Sequence, residues 1–276
     1  MRYSLLLLVI LSLFIACGDE YYGPSSNNDD DDPTYSTIET EPTLSDNGSY
    51  IYYVSADTSD LFYSGIFRVT VVSPSRQKLV HGPGYHSPTI SFDNMTLAYL
   101  DSGHIKYQSL YDLSHYESPL PDSFGSITFI RDTILAACRN DSIFVVTDSG
   151  SMSPLIPKGW DPVTLAEDTF MYVTGKAPDF YIVRNNIYGI RPETLVTLSG
   201  MGKPRWPDMM TGFNYISFEI ADWNRHYFYV WKFGTSSPIA VGESKYPKSI
   251  FLNDGRILFT GDYGQFLYSR YVIDNP

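Results

Sequence analysis

The sequence predicts an all-β chain folded as a six-bladed β-propeller, and three observations predict it. A unit of proline, serine and an Asp/Asn/Gly turn recurs, with copies beginning at residues 42, 88, 126, 162, 204 and 247. The intervals of 46, 38, 36, 42 and 43 residues match the roughly 40–50 residues of one four-stranded blade. Each clear turn is followed by a strand that is apolar on both sides, as in Tyr50-Ile51-Tyr52-Tyr53-Val54 and Arg256-Ile257-Leu258-Phe259. A half-exposed strand alternates, whereas one covered on both faces reads as a continuous apolar run. Blades stacked around an axis cover each other in that way.

The unit is clearest in Ser87-Pro88-Thr89-Ile90-Ser91-Phe92-Asp93-Asn94, with near-copies at 41–53 and 246–259 and weaker ones at 126–136, 162–172 and 204–216. Proline fixes φ and lacks an N–H, so it is expected at the first residue of a strand. Asp93-Asn94, Asn47-Gly48 and Asp254-Gly255 tolerate the positive φ of tight hairpins. In these residues the chain resembles the TolB-like and related WD40-like propeller repeats of bacterial envelope proteins, over about 42–273. Only Asp254-Gly255 keeps the family's Asp-Gly pair, only Trp206 its aromatic after proline, and no closing Trp-Asp pair recurs. The resemblance implies a rigid ring on which a peptide or protein segment of the envelope docks at one face.

Taken from the amino end, residues 1–16 read as a lipoprotein signal peptide. Arg2 supplies the positive charge, and Leu5–Ile15 forms an apolar core too short to span a bilayer, which needs about 20 residues. Phe14-Ile15-Ala16-Cys17-Gly18 resembles a lipobox, which makes Cys17 the expected site of lipid attachment. Each buried methylene contributes about 0.8 kcal/mol, so two or more acyl chains, palmitate among them, would anchor the chain stably. Residues 17–33 form an acidic tether expected to be disordered; Asp29-Asp30-Asp31-Asp32 repels itself and buries nothing. Tether-like composition continues to Glu41, and the propeller is expected over 34–276.

The blades follow in order. The first has the longest loop, 57–64, before Gly65–Val71. The second holds 97–100 and 104–107, the third 143–146, the fourth 179–183 and 195–198, and the fifth 215–218 and 226–231. The sixth has 257–260 and 266–268, and too few residues then remain for a full blade. Thr34–Thr40 is therefore expected to close the ring as the missing outer strand beside the carboxyl-terminal strands, since an open edge invites aggregation. The 23 tyrosines suit half-wet strand surfaces.

Charge and chemistry narrow the function. The chain carries −12, but residues 42–276 hold 18 basic and 23 acidic residues, a net of only −5. No basic stripe occurs, so no nucleic-acid partner is expected. Cys138 lies in an apolar run and is expected to be a buried free thiol. No Gly-x-Ser-x-Gly elbow, His-Glu-x-x-His motif or phosphate loop is present. His81 and His86 lack a third ligand for a metal. Glu219 and Asp222 near His226 are the acid pair a glycosidase would need, and Ser45-Asp46-Asn47-Gly48 only faintly resembles a sialidase Asp-box, its serine and aspartate serving better as turn formers. No catalytic residue, metal or cofactor is therefore assigned. Trp160, Trp206, Trp223 and Arg225 set aromatic and cationic groups in connecting segments and are the candidate partner-binding residues. The expected protein is a monomeric, lipid-anchored envelope propeller that binds a protein or peptide without catalysis. The alternatives are a carbohydrate-acting propeller and a structural surface lipoprotein.

Overall fold

A computed structural model describes residues 37–57, 59–121, 123–189, 192–210 and 214–268. The expected signal peptide, tether and Cys17 lie outside these residues. Six antiparallel sheets follow one another along the chain. Blade one comprises β1 (Thr37–Leu44), β2 (Tyr50–Asp57), β3 (Gly65–Thr70) and β4 (Ser73–His81). Blade two comprises β5 (Tyr85–Ile90), β6 (Thr96–Asp101), β7 (His104–Ser109) and β8 (His115–Glu117). Blade three has β9 (Ser126–Arg131), β10 (Ile134–Arg139), β11 (Ser142–Thr147) and β12 (Met152–Ile156). Blade four has β13 (Trp160–Ala166), β14 (Thr169–Lys176), β15 (Asp179–Asn186) and β16 (Glu193–Ser199). Blade five has β17 (Pro204–Met210), β18 (Tyr215–Ala221), β19 (His226–Lys232) and β20 (Ile239–Ser244). Blade six has three described strands, β21 (Ser249–Phe251), β22 (Ile257–Thr260) and β23 (Phe266–Tyr268). The helical content of the described residues is one 3-10 turn, Leu61–Tyr63.

The core is six clusters, each straddling one blade junction. Tyr52, Ile66 and Leu79 meet Leu97 and Tyr99 between blades one and two, and Leu100, Ile105 and Tyr107 meet Phe129 and Leu135 at the next junction. Ala136 and Ile143 then face Phe170 and Tyr172, Met171 and Ile182 face Ile216 and Phe218, and Phe228 and Val230 face Ile257 and Phe259. Ile51 and Tyr53 pack on Leu258 and Phe266 to complete the circle. Consecutive residues of β2 thus serve opposite neighbours: Tyr52 faces blade two, Tyr53 blade six. The doubly apolar runs of the sequence have this cause. Cys138 is free and buried in β10, and burial pushes its thiol up to about 11.

The N-terminal strand does close the ring, though not in the expected position. β1 is paired with β2 as the innermost strand of blade one, and does not form the outer strand of blade six. It meets the last blade edge-on, with the Glu39 N–H donating to Gly264 O at 2.7 Å and the Thr260 hydroxyl donating to Glu39 O at 2.5 Å. Residues 37–40 of the expected closing strand accordingly lie in β1, which runs on to Leu44. Glu39 is 2 % exposed and pairs with Arg76, so an acid of tether-like composition is an interior group. Its composition matched the spacer because local charge does not reveal which strand edge will cover it.

The repeat's turn has a consistent construction. Ser45 accepts from Tyr50 N–H, and Asn47 from Ser49 N–H; Ser91 accepts from Thr96 N–H, and Asp93 from Met95 N–H. Asp254 accepts likewise from Arg256 N–H. Serine and Asp/Asn are thus the hydrogen-bonding frame of the hairpin.

Removing a side chain from the closing junction should weaken the seam that completes the ring. Leu258→Ala, at a fully buried position, is expected to cost about 2–5 kcal/mol. Leu267→Ala, at a partly exposed one, should cost less than about 1 kcal/mol. Urea denaturation followed by tyrosine and tryptophan fluorescence measures both; equal midpoints for the two variants would contradict this closure.

Candidate functional site

The six inner strands, β1, β5, β9, β13, β17 and β21, surround a central channel. Four of them carry the same irregularity. Pairing slips between Thr40 and Thr43, between His86 and Thr89, between Trp160 and Val163, and between Arg205 and Asp208. In each slip a residue with positive φ precedes a proline: Glu41 (53°), Ser87 (49°), Asp161 (51°) and Trp206 (47°). The recurring proline therefore marks a β-bulge inside the strand rather than its first residue. A bulge has a residue without a ladder partner, so proline's missing N–H costs nothing there. In blade five the equivalent proline is Pro207, three residues beyond the one chosen from the repeat. Lys248 occupies the positive-φ position of blade six at 70°.

Left-handed backbone in a non-glycine residue costs on the order of 1–3 kcal/mol and persists only where surroundings hold it. At Ser87, Trp206 and Lys248 carboxylates of the preceding blade hold it. Glu41 accepts from Ser87 N–H and bonds His86 Nδ1 at 2.9 Å. Asp161 accepts from Trp206 N–H and from the Arg205 guanidinium. Glu219 of β18 accepts from Lys248 N–H at 2.6 Å and bonds His226 Nδ1 at 3.1 Å. A second belt lies deeper: Thr89 accepts from Phe129 N–H, the Thr128 and Thr164 hydroxyls bond each other, and Asp208 accepts from Phe251 N–H. Glu41 and Asp161 thus each satisfy an amide at a bulge of the next blade, and Glu219 and Asp208 accept the Lys248 and Phe251 amides of blade six.

The channel encloses about 400 Å³, with Trp206 and Lys248 near one end of its lining and the turn residues Asp46, Phe92 and Asn253 at the other. Glu41, Asp161, Arg205 and Glu219 lie behind that floor and do not line it. The opening is therefore on the face where inner strands end, here called the mouth face; the opposite face, where they begin, is the entry face. Val72, Met95, Tyr111 and Leu113, all exposed, stand on the mouth-side turns of blades one and two.

Electrostatics on the floor are unusual. Burial pushes the Lys248 amine below its ordinary value, although Glu41, Asp208, Asp161 and Glu219 all act to keep its proton. Burial also pushes the Asp208 carboxyl up, against two backbone N–H bonds and Lys248. Burial acts to raise Glu41 too, but the His86 and Ser87 bonds outweigh it and hold this carboxyl below the usual range. His86 is raised, chiefly by its bond to Glu41.

The four sequence-selected residues separate in space. Trp206 alone lines the channel. Trp160 is buried at the start of β13, donating to Pro204 O, with the Lys203 ammonium 3.8 Å above its ring. Trp223 is fully exposed in the β18–β19 turn. In the same turn Arg225 bridges Asp262 and Glu243. All four lie toward the entry face, as does the floor. Glu219 and Asp222 do not face one another as a pair of free acids: Glu219 is spent on Lys248 N–H and His226, Asp222 on the N–H groups of Asn224 and Arg225. Among the described residues no group of three or more His, Cys, Asp or Glu is placed to hold a metal. Lys248 and Asp208 escaped the sequence reading. Lys248, directly after Pro247, occupies the bulge position of its repeat, which was the available signal.

No protein-family model matches the chain, and no curated protein matches it by sequence. Solved structures match its fold. TolB from Acinetobacter baumannii superposes with a TM-score of 0.55 at 14% identity, over 70% of this chain and 51% of that one. The chain thus spans about half the length of that structure. Oligogalacturonate lyase in complex with manganese gives 0.57 at 12% identity, over 84% of this chain and 76% of that one. The Cps50 (Swd1) β-propeller domain of Myceliophteria thermophila gives 0.59 at 12% identity, over 86% and 98%. At such identities the likeness establishes a propeller of the TolB and WD40 kind as the fold.

The Glu41–His86 contact sets a pH window. A depressed acid stabilises the fold above its ordinary value near 4.5 and loses that contribution as pH falls through the folded value. A raised histidine stabilises below 6.5 and loses its contribution as pH rises through its folded value. The Tm difference between the native chain and Glu41→Gln should therefore peak near pH 5–6 and narrow on both sides. His86 is largely exposed, so the alkaline limb should be the shallower. Thermal melts from pH 3.5 to 8 check this, and a difference that is flat with pH would remove the contact from the account.

Proposed function

We propose that this chain is a lipoprotein of the bacterial envelope, anchored through acyl chains on Cys17, whose propeller recognises a protein or peptide partner and performs no chemistry itself. The observation that carries the recognition reading is the channel. Its volume lies at the low end of the roughly 300–1,000 Å³ of ligand sites, its opening is ringed by hairpin turns, and exposed apolar residues flank it on blades one and two. Such a site takes the side chains of a loop or an extended segment, with the flank adding contact area. The buried acids behind the floor are already committed to blade-to-blade bonds, which suits a rigid receptor. The TolB-like repeat resemblance points the same way.

Lys248 and Asp208 favour a second reading, a carbohydrate-acting enzyme. Both are channel groups, and burial moves each toward its neutral form, as happens in acid–base sites.

Three experiments test the anchor and separate these readings. In envelope fractionation, Cys17→Ala should move the protein to the soluble fraction; retention with the membranes argues against acylation. Affinity capture with the detergent-solubilised full chain should enrich a partner, and Asp46→Arg combined with Leu113→Asp at the mouth should cut recovery about tenfold or more, the scale of a hot-spot loss. Turnover in a polysaccharide panel, abolished by Lys248→Met, would decide for the enzyme instead.

A further inference from the structure

The entry face carries a feature that recognition at the mouth leaves unused. The turns joining second to third strands are short and polar in blades two and three, at Ser102-Gly103 and Asn140-Asp141, and Ala177-Pro178 in blade four. In blades five, six and one they instead lift aromatics into solvent: Trp223 at 100 % exposure, Tyr263 at 76 % and Phe62 at 66 %, with Leu61 and Tyr63 beside Phe62. These blades are consecutive around the closed ring, so the residues form a crescent along one side of one face. Isolated exposed apolar side chains need no explanation, but the same turn bearing them in three adjacent blades does.

The described chain begins in the middle of that crescent. Thr37 opens β1 at the entry face, and the turn bearing Tyr263 touches it: Glu39 N–H bonds Gly264 O, and Gly264 lies against Thr37 and Ile38. The 20 residues Cys17–Ser36 therefore lead away from a point among the aromatics and reach at most roughly 70 Å. A chain fixed to a bilayer at Cys17 presents this face to it at high effective concentration, so weak contacts suffice to populate docking. Tryptophan and tyrosine are the side chains that settle at headgroup level.

Of the acids nearby, Asp262 and Glu243 share the Arg225 guanidinium. Asp60 and Asp222 are tied into their own turns by backbone N–H groups, which does not remove their charge, so docking here draws on the aromatics. The Lys78 ammonium lies 4.9 Å from the Phe62 ring centroid, where it can also meet a lipid phosphate.

We infer that the crescent of Phe62, Trp223 and Tyr263 is a membrane-docking face, which sets the propeller entry-side down on the lipid surface and turns the channel mouth away from it. This rests on the anchor at Cys17. Docking and mouth recognition use opposite ends of the ring, so the first orients the second.

The test uses the full chain reconstituted in phosphatidylethanolamine–phosphatidylglycerol vesicles, with and without brominated acyl chains. Brominated lipid should quench tryptophan emission, and Trp223→Phe should abolish most of that quenching. Phe62→Ser with Tyr263→Ser, both at exposed positions, should reduce it at least twofold without altering the Tm. Flotation of the same samples reads the anchor separately. Protein that floats with vesicles while its emission is unchanged by bromine, or is quenched equally in Trp223→Phe, overturns the docking and leaves the anchor intact. Protein that does not float overturns both. Shielding of Trp223 that requires added envelope protein, with no quenching by lipid, assigns the crescent to a protein partner and overturns the lipid proposal.

Discussion

Everything in this molecule depends on blades covering both faces of their neighbours. Six apolar clusters, one per junction, replace a single central core. Each blade is therefore stable only as a member of a closed circle, because an end blade would expose one whole apolar face. That condition dictates the composition. Middle strands must be apolar at successive positions, and tyrosine is used where a large ring must be buried, as at Tyr52, Tyr53 and Tyr107. It also dictates the role of β1, whose backbone links the first blade to the last.

Packing the sheets like spokes creates a second problem at the hub, where inner strands converge and leave room for a channel. The bulges at Glu41, Ser87, Asp161 and Trp206 rotate amides out of their own ladders, and unpaired buried amides are costly. Carboxylates from neighbouring strands accept two of them, at Ser87 and Trp206, and Glu219 accepts the Lys248 amide of blade six in the same way. The acids near the axis are thus structural first. Their consequence for function is indirect: they back a rigid floor carrying Trp206 and Lys248, and leave the other end open. Function on such a ring is a property of its ends, and the entry of the chain at Thr37 makes the two ends inequivalent.

The degree to which the sequence disclosed this varied with the range of the interactions involved. Hairpin turns were legible because Ser91, Asp93 and Asn94 hydrogen-bond within five residues of themselves. The middle strands were legible because burial on two sides leaves an uninterrupted apolar run, as in Leu97-Ala98-Tyr99-Leu100. The proline's position within its strand was not legible, since a strand start and a bulge both relieve it of donating. Glu39 and Glu41 merged with the acidic run before them, because their partners Arg76 and His86 lie 37 and 45 residues away in sequence. Of the aromatics chosen for binding, Trp160 is packed against Phe180 and beneath Lys203, a distinction that flanking residues do not encode.

Period, turn chemistry and apolar patterning by themselves determined a six-bladed ring, since each is written within one blade's length of chain. Only the closed tertiary structure decided which acids are buried, which strand joins the ends, and that Lys248 and Trp206 meet at the floor of one channel. Those facts arise where six separate segments converge on one axis. No local stretch of sequence records what will stand opposite it there.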